Sequence, residues 1–228
     1  MLPALVILLL IIIIFLPQFW VKRVIKQYSQ NIEELPGTGG ELAKHLIKRF
    51  ELKDVSVEQT ENGNDHYDPE SKTIRLSEMN HEGKSFTAIT IAAHEFGHAL
   101  QHQMNYKPLL LRTKYAKTAA IAEKMASFIL ISLPFSVMLV KLPAISLLML
   151  LAGLTIMSLP IILHLFTLPV EFDASFNRAL PILSEGNYIP EQAMPIAKKI
   201  LTAAALTYVS ASLASLLNFY RWVAILRR

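Results

Sequence analysis

The chain has 228 residues, of which 53% are hydrophobic and 18% charged, and its mean hydropathy is positive at +0.39. That balance is too apolar for an ordinary soluble domain of this size and places the chain in a membrane class. Cysteine is absent and the net charge of +4 is spread among acids, which excludes disulfides and thiolate metal sites and leaves no basic stripe for nucleic acid.

Leu2 to Trp20 carries no charge and has about the length a helix needs to cross roughly 30 Å of hydrocarbon, so it is read as a first span. A cleaved signal peptide is the competing reading. It lacks a basic n-region and a small-x-small cleavage site, and the basic VKRVIK follows at once.

Residues 21–124 form a polar segment. Gly37 to Gly40 closes a linker, and Leu42, Leu46, Ile47 and Phe50 then recur at the spacing of a short amphipathic helix. Val55, Val57 and Gln59 alternate, as do Ile74 and Leu76 after the turn-like DHYDPESK, which predicts two short strands forming a hairpin or sheet edge. From Ser85, an N-cap, a helix over 85–103 runs through TIAAHEFGHALQH before Asn105 and Pro108.

That helix carries the chemistry. His94 and His98 stand four apart on one face, where two imidazoles can bind one Zn²⁺, and Glu95 lies where a general base can reach a metal-activated water. A satisfied amphipathic helix is the bland alternative, against which Gly97 counts. A helical glycine costs about 1 kcal/mol relative to alanine unless something packs closely on it. His102 lies about 80° from His94 around the helix, which assigns it to a supporting or surface place rather than to the metal. His66, in the turn-like stretch, is either a substrate contact or an ordinary turn residue.

Met125 to Val170 is a second apolar block, long enough for two spans, 126–140 and 144–168, that break near Lys141 and Pro143 and make a tight hairpin. A cytoplasmic segment over 169–200 follows. The last apolar stretch, 201–219, is read as a fourth span rich in Ala and Ser or, alternatively, as a buried helix. Lys22, Arg23 and Lys26 after the first span, with Arg112, Lys114, Lys117 and Lys124 before the second, put 21–124 in the cytoplasm by the positive-inside rule. Arg221, Arg227 and Arg228 fit that topology only if the last segment does not cross.

A catalytic zinc takes a third protein ligand and keeps one open position. The third span emerges on the same side at LPVEFDASFNRAL, which offers Glu171 and Asp173. About 200° of helical rotation separates these two, so one of them faces the metal, and the longer Glu171 is the choice. Both acids capping the end of the span is the bland reading, and Asp173 is otherwise a supporting residue.

The stretches KTIRLSEMNHEG, AAHEFGHALQH, FTLPVEFDASFNRAL and LTAAALTYVSASLASLL together resemble the YugP-type membrane neutral zinc metallopeptidases, from about Asp65 to Leu217. The layout is also similar to the HtpX and CAAX-prenyl-protease group, in which HExxH precedes two spans and an ExxAD motif. Glu171 and Ala174 match that pattern, while Ser175 stands where that group has Asp, so the partner that orients a ligand histidine would fall to Asp173 or Asn177. The resemblance implies a gluzincin-like integral-membrane peptidase.

The expectation is therefore a single membrane-embedded peptidase domain over 1–228. It is mainly α, polytopic, with about four transmembrane helices and a small α+β cytoplasmic zincin-like part. His94, His98 and Glu171 hold Zn²⁺ and Glu95 is the catalytic base. Its partners are the lipid bilayer and a peptide or membrane-protein substrate, with no nucleic acid, and the active site faces the cytoplasm. A site-2-type intramembrane protease and a non-catalytic zinc-binding scaffold are the rival readings. The first lacks an LDG-type motif here, and the second has no use for Glu95.

Overall fold

The computed structural model describes residues 16–60, 63–140, 143–207 and 209. A helix over 16–27 (α1) leads to α2, Gly39–Arg49. Thr38 caps α2 by accepting from the Glu41 amide, while the Glu41 carboxylate accepts from the Thr38 amide, a reciprocal capping box that satisfies two otherwise orphaned donors. Leu42 and Leu46 are buried as their spacing predicts. Gly39 and Gly40 belong to the first turn of this helix rather than to a linker. A Cβ on Gly39 would stand 2.2 Å from the Asn80 carbonyl oxygen, so only glycine lets the two backbones meet.

Three strands follow, β1 (Ser56–Gln59), β2 (His66–Asp68) and β3 (Thr73–Leu76), in the order β1-β3-β2. β1 runs parallel to β3, pairing Val57 with Ile74, and β2 runs antiparallel to β3, pairing Tyr67 with Ile74. The predicted pair of strands is thus present, but as parallel neighbours rather than a hairpin. The strand that sequence reading missed lies in DHYDP. With three residues and Tyr67 as its one large apolar side chain, β2 is too short to show an alternating period.

The short helix α3, Glu78–His81, connects the sheet to α4, Phe86–Gln103, which begins where expected. The Ser85 hydroxyl accepts from the Ala88 amide at 3.1 Å, as an N-cap does. Buried Ile89, Ala92, Ala93 and Phe96 of α4 join Leu46 of α2 and Ile74 and Leu76 of β3 in one core. Two long helices then form a hairpin, α5 (Lys107–Val140) and α6 (Pro143–Phe172). The chain continues through an underwound π-helical stretch, Asp173–Ala179, into α7, Leu180–Glu185. A helix over 194–207 (α8) follows and adds Ala197, Ile200 and Leu201 to the core.

The expected polytopic architecture is corrected here. Among the described residues no helix is long and apolar enough to cross a membrane. The proposed first span, 2–20, and last span, 201–219, lie mostly outside the described residues. The other two fall on α5 and α6. On α5 the uncharged portion begins only after Lys124, and residues 125–140 reach about 24 Å at 1.5 Å per residue, short of a roughly 30 Å hydrocarbon core. α6 has α5 as its principal packing partner. Apolar composition records a preference for leaving water, which the contact between α5 and α6 meets in part. The hairpin also leaves Phe128, Ile131, Phe135, Leu147, Leu148 and Leu151 exposed.

Candidate metal centre

α4 and the end of α6 build the site. The small residues that flank HEFGH let the two backbones approach. A Cβ on Gly97 would meet the Ala174 carbonyl oxygen at 2.8 Å. Gly97→Ala should therefore push α4 away from the π-helical stretch and cost about 1–3 kcal/mol, read as a lowered melting temperature. An unchanged melting temperature would show that the contact gives way freely.

This approach brings together His94, His98 and Glu171, all buried, with one donor atom from each lying within 4.8 Å of the others. Glu171 Oε2 is 3.2 Å from His94 Nε2 and 3.4 Å from His98 Nε2. Ligands at about 2.0–2.1 Å from a tetrahedral zinc stand about 3.3 Å apart, so these separations fit the edges of one coordination sphere. Glu171 Oε2 is also buried without a hydrogen-bond partner. A buried carboxylate oxygen is costly in that condition, and a cation at the centre of the three atoms resolves it. The donor set of two nitrogens and one oxygen suits zinc in a chain without cysteine.

Each ligand is held from behind. Ser175 Oγ lies 3.1 Å from His94 Nδ1, and Gln101 Oε1 lies 3.0 Å from His98 Nδ1. With the Nδ1 atoms so engaged, the Nε2 atoms face the centre, an arrangement that fixes ring orientation. Gln101 Nε2 donates in turn to the Val170 carbonyl and to Asp173 Oδ2, both at 2.8 Å. Arg178 Nε donates to the same Asp173 oxygen at 2.7 Å. Glu171 Oε1 accepts from Arg112 Nη1 at 2.8 Å.

The orienting role left to Asp173 or Asn177 is thereby redistributed. Ser175 itself contacts His94, Asp173 reaches His98 only through Gln101, and Asn177 donates to Asp173 at 3.1 Å. Underwinding at Asp173–Ala179 accompanies this, with Ser175 set beside His94 and the Ala174 carbonyl against Gly97. Ser175→Ala is expected to weaken zinc binding about 10–100-fold, measured by chelator competition. Wild-type affinity in that variant would remove Ser175 from the site.

Burial pushes the Glu95 carboxyl up to about 7, with Glu171 and Asp65 adding to the rise and His94 and Arg112 opposing it. For Glu171 burial acts in the same upward direction, but His98 and His94 outweigh it and hold the carboxyl well below its usual range. It is therefore ionised, as a metal ligand must be. A cleft of about 280 Å³ opens beside these groups, lined by Glu95, His98 and Arg112 and by Asp65, His66 and Tyr67. His66 lies on β2 at this cleft rather than in a turn. His102 is outside the metal cluster, with its Nδ1 2.8 Å from the Tyr67 hydroxyl.

Sequence reading missed Gln101 and Arg112. Gln101 was findable, because three residues beyond His98 on a helix is the same face. Arg112 read as one more membrane-flanking cation, and nothing in its local sequence distinguishes it.

Comparison with known proteins agrees with the geometry. A family model described as "Putative neutral zinc metallopeptidase" matches residues 3–227. The chain is 37% identical over 212 residues to a Bacillus subtilis (strain 168) protein named "Putative membrane protease YugP", covering 92% of this chain and 90% of that protein. No solved structure matches. A match over nearly the whole chain, together with a buried two-histidine, one-glutamate cluster that fits zinc, shows that this protein belongs to the family described as putative neutral zinc metallopeptidases.

Proposed function

We propose that the protein is a membrane-associated endopeptidase that hydrolyses peptide bonds of membrane or membrane-adjacent proteins. His94, His98 and Glu171 hold the zinc. Zinc so held would supply a Lewis acid to polarise the scissile carbonyl and to activate water. Glu95, next to His94 in sequence and on the wall of the cleft, takes a proton from the attacking water and returns it to the leaving amine. The cleft between α4, α5 and β2 opens beside these groups and is the place assigned to the substrate. The observation that carries the reading is a buried carboxyl, Glu95, on the wall of an open cleft that the ligand His98 also lines.

A membrane location is supported by the relative's printed name and by the exposed apolar side chains of the α5–α6 hairpin. Exposed apolar patches mark membrane or protein contact surfaces. Exposed Lys22, Arg23, Lys26, Lys114 and Lys124 suit the anionic cytoplasmic leaflet, which favours an active site on that side.

Purified protein should cleave a casein-type substrate, lose that activity on treatment with a zinc chelator and regain it on return of zinc. Cleavage that persists in fully metal-stripped protein would sink the proposal.

A further inference from the structure

Arg112 reaches the metal centre from α5, outside both segments that carry the ligands. Its Nη1 donates to Glu171 Oε1 at 2.8 Å, and its side chain is 27% exposed on the cleft that also holds Glu95 and His98. Glu171 has no exposure at all, so its two oxygens have divided surroundings. Oε2 faces His94 and His98, and Oε1 faces the guanidinium. A carboxylate can bind a metal through one oxygen or both. Two-oxygen binding would take up or crowd the coordination position that a catalytic site keeps for water. A charge-assisted hydrogen bond to one oxygen opposes that swing, since the carboxylate would have to give up the donor to make it.

We propose that Arg112 is a positioning residue that confines Glu171 to one-oxygen ligation and so keeps the remaining metal position open towards Glu95. The proposal rests on His94, His98 and Glu171 being the ligands. It also explains why a cation sits beside a metal site at all. A neutral donor would make a weaker bond to Oε1, and a second carboxylate would repel it.

Cobalt(II) is a direct probe, because its visible spectrum changes in shape and intensity when a second carboxylate oxygen enters its coordination sphere. Full-length wild type, Arg112→Lys and Arg112→Ala are loaded with cobalt(II), with circular dichroism as the check on folding. The expected result is a wild-type spectrum for the lysine variant, which keeps a charged donor, and an altered spectrum for the alanine variant. An alanine spectrum that superimposes on wild type overturns the proposal, and so does a lysine variant that departs as far as alanine does. Neither result touches the peptidase reading. A wild-type protein that takes up no metal would sink that reading instead, and this inference with it.

Discussion

Glu95→Gln is expected to keep zinc bound and to lower peptide hydrolysis by about 10²–10⁴-fold in kcat/KM, the range that a positioned general base contributes. The substitution is nearly isosteric and Glu95 is buried on a helix whose packing it does not change. What disappears is the ability to accept a proton. Metal content and kinetics measured on one preparation separate the two effects. A Gln variant with stoichiometric zinc and undiminished turnover would remove Glu95 from the reaction.

The same variant has a second signature in zinc-free protein. The Glu95 carboxyl is pushed up to about 7 from an ordinary value of 4.5, so the folded chain binds this proton more tightly than the unfolded chain does. Its contribution to stability is therefore full below about 4.5 and is lost as pH rises through about 7, a change of about 3 kcal/mol. Zinc-free Glu95→Gln should lose less melting temperature than zinc-free wild type across that window. A dication held by the neighbouring cluster would pull the carboxyl down and favour its ionised form near neutral pH.

Glu171→Ala is expected to take zinc from stoichiometric to background after dialysis, as is His94→Ala. Three protein ligands are the minimum of a catalytic zinc site, and the loss of either leaves two. Removing Glu171 also takes away the carboxylate that accepts from Arg112 Nη1. Metal analysis of both variants tests the ligand set directly. Zinc lost in His94→Ala but retained in Glu171→Ala would remove Glu171 as the third ligand.

The spans illustrate how far an apolar run can be read. The uncharged stretches 126–140 and 144–168 read as crossings, and each lies in a helix. α5 is charged over its first half and α6 packs on it as the expected return helix, but among the described residues neither is long and apolar enough to be a crossing. Hydropathy measures a preference for leaving water and is silent on whether lipid or protein receives the side chain. The sheet shows a related limit. Val57 and Ile74 announced strands, but their parallel pairing needs a crossover connection, which leaves no local period.

By itself the sequence determined the α4 helix from its Ser85 cap to Gln103, the facing of His94 and His98 at a spacing of four, and, in a chain without cysteine, that a third ligand would be nitrogen or oxygen. Helical periodicity and capping are local, so they are legible in a single segment. Only the tertiary structure decided how that ligand arrives and what supports it. The fit of Gly97 against the Ala174 carbonyl brings Glu171 to within 3.4 Å of both histidines, and Ser175, Gln101 and Arg112 each take one atom of the cluster from a different direction. These contacts join residues up to 81 positions apart. Their geometry is set by the packing of α4, α5 and the end of α6, which no local pattern encodes.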